Sequence, residues 1–597
     1  MAFQVSPGVQ VREIDVTNVV PAVSSSIGGY VGMFSWGPVD EVRTISSEKQ
    51  LVDVFGKPSG DDTYLKENMK KEHFYSAANF LRYSNNLKVV RALGTGMLNA
   101  TTGSAGILIK NATHYYESNY HTGSAAANAG HFAARCVGSL GNSLKISVCA
   151  SADAFSKTAA TTISDNSISA TPNAPTSMDV ASGAALVVGD IITFHTQTDR
   201  YKISNISSNT ITFHLESDSS KGLQVAPTNG QNVNREWEFA KNFTKAPGSS
   251  PDALANNSSL DEMHIAIVDE DGQITGIVGE ILELYEGVSM ASNAKDPEGN
   301  SNYYVDKLRY NSDYIFFTNH NSNMSESGNT FAVAGAAFDT HALPITESLD
   351  DGTEGSNLTS GQKQAAFSTY LGDAETQDVD FLIAGPLNGD DGSNSDVRTL
   401  AEATTQANNL IAICDARKDC MAIISPRRED CVDNANSQTA IVGFAETLTS
   451  SSYAVCDSAW TYQYDKYSDN YCYVPACSHV AGIMARTDNQ RDAWFSPAGL
   501  QRGQVMGITK LSYNPNQADR DALYKKRVNP IVTFPGMGTV MFGDKTLLSS
   551  ASAFDRINVR RLFIVMEKAI ATAAKFQLFE FNDAFTRAQF RATIEPF

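Results

Sequence analysis

Cys472, Cys477 and His479 fall together in YCYVPACSHV, a tight grouping of soft metal donors. A structural zinc site needs four thiolate or imidazole ligands converging on a tetrahedron. This stretch offers three, at C-x4-C-x-H spacing, and it reads as strand, so small buried thiols account for it better. Cys414, Cys420 and Cys431 have no ligand-type spacing, and the eight cysteines together fit reduced thiols. Asp269-Glu-Asp-Gly has the opening of a calcium loop but lacks the ladder of oxygen ligands and the closing bidentate glutamate. Its Asp-Gly chemistry predicts a hairpin turn instead. The acidic pairs Asp350-Asp351 and Asp390-Asp391 lie in Gly/Asn/Ser-rich loops and read as solvated turns. Gly536-Met-Gly538 is a lone G-x-G, where a bend or close backbone packing is the better reading than a phosphate cradle. No G-x-G-x-x-G follows a strand, and no Walker loop, H-E-x-x-H or G-x-S-x-G occurs. The expectation is a protein without catalytic site, metal or cofactor.

The elements that would carry such residues follow from composition and period. With 597 residues the chain is too long for one core, and 42% apolar content supports ordinary globular packing. The formal charge is −20, which disfavours nucleic acid as a partner, since phosphates need a basic footprint. That charge is uneven: residues 491–597 hold 15 Lys+Arg against 9 Asp+Glu. An acidic body with a basic last sixth predicts that the C-terminal part meets an acidic partner. The N-terminus has no signal-peptide pattern, and no apolar run approaches the ~20 residues that span a bilayer, so direct membrane insertion is not expected.

Residues 1–20 read as an extended arm, with Val5, Val9, Val11, Ile14 and Val16 along it. Gly28-Gly29-Tyr-Val-Gly reads as a strand with close backbone approach, Phe74, Ala77, Ala78 and Leu81 sit at helical spacing, and Leu87–Leu93 reads as a buried strand. Residues 151–184 are poor in large apolar side chains and read as an exposed loop or domain edge. ALVVGDIITFHT and YKISNISSNTITFHL read as short strands, and 264–282 as strand, turn, strand. From 345 onward strands (379–386, 421–426, 453–464) alternate with helices (399–418, 441–450), which predicts a parallel or mixed sheet covered by helices. Residues 558–574 read as an amphipathic helix. Its expected inward face is Val559, Leu562, Phe563, Met566, Ile570 and Ala573, with Arg560, Arg561, Lys568 and Lys575 pointing away.

The last hundred residues carry a resemblance. DAWFSPAG, RDALY, NPI, FPGMGTVMFGDKTL, RINVRRLF, EK and FEFND occur in that order, and the chain resembles the contractile-tail sheath proteins of myophages and related injection machines. PGVQVREID near the start, GSLGNSLKIS at 138–147, DEMHIAIVDEDG at 261–272 and SNYYVDKL at 301–308 point to the T-even-like branch. Phe542 stands where many relatives have tryptophan, and FTRAQFRATIEPF stops before the strands and C-terminal arm that the resemblance would add.

The resemblance implies an α+β, multidomain protein: an inner α/β-type sheet-and-helix core with inserted β-rich outer domains. The implied division is an arm at 1–20 and an inner domain built from 21–97 and 346–490. A protruding β-rich insertion at 98–240, a middle domain at 241–345 and a tube-facing C-terminal domain at 491–597 complete it. It further implies a structural subunit that polymerises as hexameric rings in a helical sheath around a tail tube and contracts to drive the tube through the host envelope. The alternative is the sheath of a bacteriocin-like or extracellular injection particle. Implied partners are copies of itself, the tube protein, and baseplate and terminator proteins. The implied location is the virion tail, after assembly in the host cytoplasm. Within that reading Arg560, Arg561, Lys568 and Lys575 are candidate tube contacts, and Val5, Val9, Val11, Ile14 and Val16 a strand donated to a neighbouring copy.

Overall fold

Gly28–Gly32 is an inner strand of a seven-stranded sheet and carries three glycines in five residues. A Cβ at Gly28 would lie 2.9 Å from Phe80 and Leu87, and one at Gly29 would lie 2.9 Å from Val379 and Leu382. The close backbone approach expected there is what allows side chains to crowd both faces of this strand. This is a computed structural model. It describes residues 26–595 apart from 59–65 and the short stretches 195–196, 325, 332–336, 339–340, 357, 388, 391–395 and 398. The arm residues Val5, Val9, Val11, Ile14 and Val16 lie outside the described residues.

The chain forms two compact units. The first comprises residues up to Ser35, Asp40–Gly94 and Ser356 onward. Its sheet runs in the order Val42–Ile45, Leu87–Arg91, Gly28–Gly32, Phe381–Ile383, Met421–Ile424, Ala454–Asp457, Val528–Asn529. Val42–Ile45 is antiparallel to its neighbour and every other pairing is parallel. The strands MAII and AVCD are buried throughout, as parallel strands covered on both faces must be. Helices Lys66–Leu81 and Cys477–Gln490 share one core with Tyr30, Val89, Ile383, Ile423 and Val455. Against the opposite face, Leu371 of helix Ser360–Leu371 reaches Gly29, and helix Leu400–Arg417 buries Ala403, Ala407, Leu410, Ile411 and Cys414. Thr359 starts the first of these helices with a reciprocal capping box to Gln362.

Two longer hairpins belong to the same unit. Trp460–Asp465 pairs with Asn470–Pro475 and, on its other side, with Lys510–Leu511. Ile531–Phe534 pairs with Gly538–Met541 around a turn where Gly536 and Gly538 take φ of 75° and 79°. That backbone suits glycine, so the G-x-G serves a turn. The cysteine-rich stretch departs from its expected strand: the strand ends at Pro475, and Cys477 opens a helix. Proline cannot donate to a continuing ladder, which is the local reason for the change.

The second unit comprises Trp36–Val39 and Thr95–Gly355. A six-stranded antiparallel sheet runs in the order Ser156–Thr162, Asn232–Glu236, Ile191–Phe194, Tyr201–Ser207, Thr210–Leu215, Thr176–Asp179. It closes over Met178, Ile192, Phe194, Tyr201, Phe213 and Val233. Of the two readings of 151–184, exposed loop or domain edge, the second fits better, since the stretch contains both edge strands of this sheet. An edge strand pairs through its backbone and can be largely solvated, so it needs few large apolar residues. A four-stranded antiparallel sheet runs in the order Glu280–Ser289, Glu262–Asp269, Leu144–Cys149, Ile345–Ser348. Its strands come from both sides of residue 240, the expected border between outer and middle regions.

Candidate interaction surface at the C-terminal helix

Helix Ile557–Lys575 is amphipathic, but it is turned largely the other way round from the expectation: of the expected inward row only Ala573 is buried, and Val559, Leu562 and Ile570 are half-buried. Its buried residues are Ile557, Arg560, Arg561, Ile564, Ala569 and Ala573. Phe563 and Met566, expected inside, are 40% and 38% exposed. Two arginines inside a fold demand counter-charge and hydrogen bonds, because an unpaired buried charge costs several kcal/mol. Both are supplied.

Arg561 donates from Nη1 and Nη2 to the two carboxylate oxygens of Asp488, at 2.7 and 2.5 Å, and its guanidinium lies 4.5 Å from the centre of the Phe381 ring. Asp488 belongs to helix Cys477–Gln490, so this fork ties the C-terminal helix to the sheet layer. Arg560 sits between two rings, 3.9 Å from the centre of Phe554 and 4.3 Å from that of Tyr453, and donates to the Tyr453 hydroxyl at 3.1 Å. Lys568 donates to Asp380 at 2.7 Å and to Asp378 at 2.9 Å, with only 12% of its side chain exposed. Burial works against the Lys568 ammonium, but Asp380 and Asp378 together hold its pKa above the usual lysine value. Asp380 also accepts the Ile27 N–H at 2.9 Å, so the same carboxylate fixes the entry to the Gly28–Gly32 strand. Lys575, at the helix end, is exposed.

Three of the four basic residues singled out in the sequence are therefore fasteners within the chain, and Lys575 alone of the four points to solvent. The partners Asp488, Asp378, Asp380 and Tyr453 escaped sequence reasoning, because nothing local links them to a helix at least 70 residues away. Outward the helix presents Phe563 and Met566 beside Glu567 and Lys575. Beyond it the exposed large side chains continue with Phe576, Leu578, Phe579, Phe581 and Phe585, at 62 to 105% exposure. Helix Ala584–Ile594 buries no residue. Among the described residues, twelve of the twenty-four exposed large hydrophobics lie between Trp494 and Phe585, which concentrates them in the basic last sixth. An exposed apolar area of this extent marks an interaction surface.

The other candidate chemistry resolves into packing. All eight cysteines are free and buried. Cys472 lies in the large core, the Cys477 N–H donates to Ser425 Oγ, and Ser425 donates in turn to Asp457 at 2.6 Å. His479 pairs through Nδ1 with the Tyr83 hydroxyl at 3.1 Å, and burial pushes its pKa down to about 3, which keeps it neutral. Asp269 accepts from Ser143, Ile274, Thr275 N–H and Thr275 Oγ1, so the acidic stretch is a hydrogen-bonded turn.

Comparison with known proteins meets these surfaces at the level of family. Residues 365–547 match the family described as "Phage tail sheath protein central domain", and residues 26–92 match "Tail sheath protein Gp18 domain III N-terminal region". The tail sheath protein of Enterobacteria phage T4 is 30% identical, covering 98% of this chain and 88% of its own length. That of Vibrio phage KVP40 is 28% identical, over 99% and 90%. That of Salmonella phage ViI is 30% identical, over 100% and 88%. With likeness of this strength along nearly its whole length, the chain belongs to the phage tail sheath proteins, on their T-even-like branch.

Proposed function

We propose that this chain is the structural, non-enzymatic subunit of a contractile tail sheath, polymerising as stacked hexameric rings around a tail tube in the virion. The observation that carries the reading is the apolar surface of the last hundred residues, in a chain related end to end to tail sheath proteins. Fully burying a phenylalanine or leucine side chain contributes about 1.5–3 kcal/mol. The run from Phe576 to Phe585 therefore favours association strongly over a free monomer. A helical polymer needs two different patches per subunit, meeting head to tail without closing.

In this reading the tube contact lies on the outward row of helix Ile557–Lys575, with Phe563 and Met566 on the row and Lys575 as its basic end. Arg560, Arg561 and Lys568 hold that row in place from behind. The arm residues Val5, Val9, Val11, Ile14 and Val16 supply a strand to a neighbouring copy, a link that survives rigid-body rotation because only the arm bends. Contraction draws on the difference in free energy between two arrangements of these subunit contacts. Negative-stain microscopy of the purified chain tests the proposal: rings or tubes are expected, and uniform compact particles at every concentration would overturn it.

A further inference from the structure

Lys363 carries a positive charge into the interior with no carboxylate to meet it among the described residues. It sits on helix Ser360–Leu371 and is 4% exposed. Its ammonium donates to the Pro386 carbonyl oxygen at 2.9 Å and reaches Gln406 Oε1 only at 3.5 Å. An ammonium has three N–H donors, so two neutral oxygens leave it one acceptor short as well as without a counter-charge. The contrast within the same unit is Lys568, whose burial is offset by Asp380 and Asp378. Burial drags the Lys363 pKa down to about 8, which leaves the ammonium mostly charged at neutral pH. The titratable group acting on it is the Cys477 thiol, which burial pushes up to about 12, so that neighbour stays neutral.

A small cavity opens beside this charge. Lys363 and Phe367 line it from one helix, Gln406 and Asn409 from helix Leu400–Arg417, and Ala384 and Leu387 from the segment just beyond strand Phe381–Ile383. There is room for one small occupant of about the size of a water molecule or an atomic ion. Its place in the sheet is the one that ligands favour in open α/β folds, beyond the carboxyl ends of the strands where the strand order reverses. From Gly28–Gly32 the chain moves out to Leu87–Arg91 on one side. From Phe381–Ile383 it moves through Met421–Ile424 to Ala454–Asp457 on the other, so the reversal falls between Gly28–Gly32 and Phe381–Ile383. A buried cation, side-chain amides that can donate and apolar walls are together the surroundings that hold an anion out of water.

We propose that this cavity binds one small monovalent anion of the chloride or formate class, held by Lys363 and the side-chain amides of Gln406 and Asn409. The anion supplies the counter-charge and joins the two helices to the segment after Phe381–Ile383. Size excludes phosphate and sulfate, and a single cation matches a single negative charge. The site is independent of the polymeric reading above.

Chloride NMR line widths, measured on the full chain in sodium chloride, test it, because bound chloride relaxes fast and broadens the line of the exchanging free ion. Excess broadening is expected in the native chain at neutral pH, removable by sodium formate and retained in sodium sulfate. A formal charge of −20 keeps the background from surface binding low. The broadening is expected to be lost in Lys363→Met. In the native chain it is expected to be lost as pH rises from about 7 to about 9, through the Lys363 pKa, well below the range where exposed lysines titrate. The pH series needs no variant and decides the matter if Lys363→Met does not fold. Equal broadening in the native chain and the variant, or no change over that pH window, would overturn the site. Absence of excess broadening in the native chain would overturn it too and leave water as the occupant.

Discussion

Arg561 and Asp488 form a two-pronged pair with 6% and 2% of their side chains exposed. Breaking a buried pair by removing one member costs about 3–5 kcal/mol, because the other charge stays buried. Asp488→Ala is therefore expected to lower unfolding stability by that amount in urea titrations, and a loss under about 1 kcal/mol would show the fork to be solvated in solution. Asp457 supplies a second residue-scale test. It is buried, accepts from Ser425 and from the Ala459 N–H, and burial raises its carboxyl from 3.8 to about 7. A raised folded pKa means that the folded state holds the proton longer than the unfolded state. The contribution is complete below pH ~4 and is lost as pH rises through 7. The midpoint of thermal unfolding is expected to fall over that window in the native chain, and Asp457→Asn to flatten the profile there. An identical slope in the variant would assign the pH dependence to other groups.

Helix Ile557–Lys575 shows how far an element can be read from sequence. Its existence and span follow from period alone, but its orientation does not. Val559, Leu562, Phe563, Met566 and Ile570 recur at i, i+3, i+4, i+7 and i+11. Ile557, Arg560, Arg561, Ile564 and Lys568 recur at the same spacing two residues earlier, about 200° around the helix. Hydropathy favours the first row as the inward one. The second row is the one packed inward, because Asp488, Asp380, Asp378 and two aromatic rings await its cations. Those partners come from elements distant in sequence, so no local pattern reveals them. Phe563→Glu is consequently expected to change stability by no more than about 0.5 kcal/mol, as for a surface site. In the same variant, assembly onto tubes is expected to be lost. A large drop in thermal stability with assembly intact would return Phe563 to the interior.

For the whole molecule, the strand–helix alternation after 379 was readable because each parallel strand is a short apolar run and each helix a long amphipathic one. The hairpin of Glu262–Asp269 and Glu280–Ser289 was readable from its Asp-Gly turn chemistry, whereas those at 460–475 and 531–541 were not. The pairing of Leu144–Cys149 with Glu262–Asp269 and Ile345–Ser348 was not, since a strand's sequence states which residues face inward and leaves its partner open. The arm belongs to this scale too. Removing residues 1–18 is expected to leave a soluble chain that forms no long tubes, as judged by microscopy and sedimentation. Long tubes from the shortened chain would place the copy-to-copy link elsewhere.

The inverted C-terminal helix separates two responses to the medium. Its ionic fasteners are shielded from water, where dissolved salt screens charges poorly, while the outward Phe563 and Met566 are apolar, and their contacts strengthen as kosmotropic salts exclude water-exposed hydrocarbon. A change of ionic environment can therefore promote or weaken subunit association without loosening the element that presents the contact. Recognition surface and internal attachment occupy opposite sides of one cylinder, and each can be tuned while the other stays fixed.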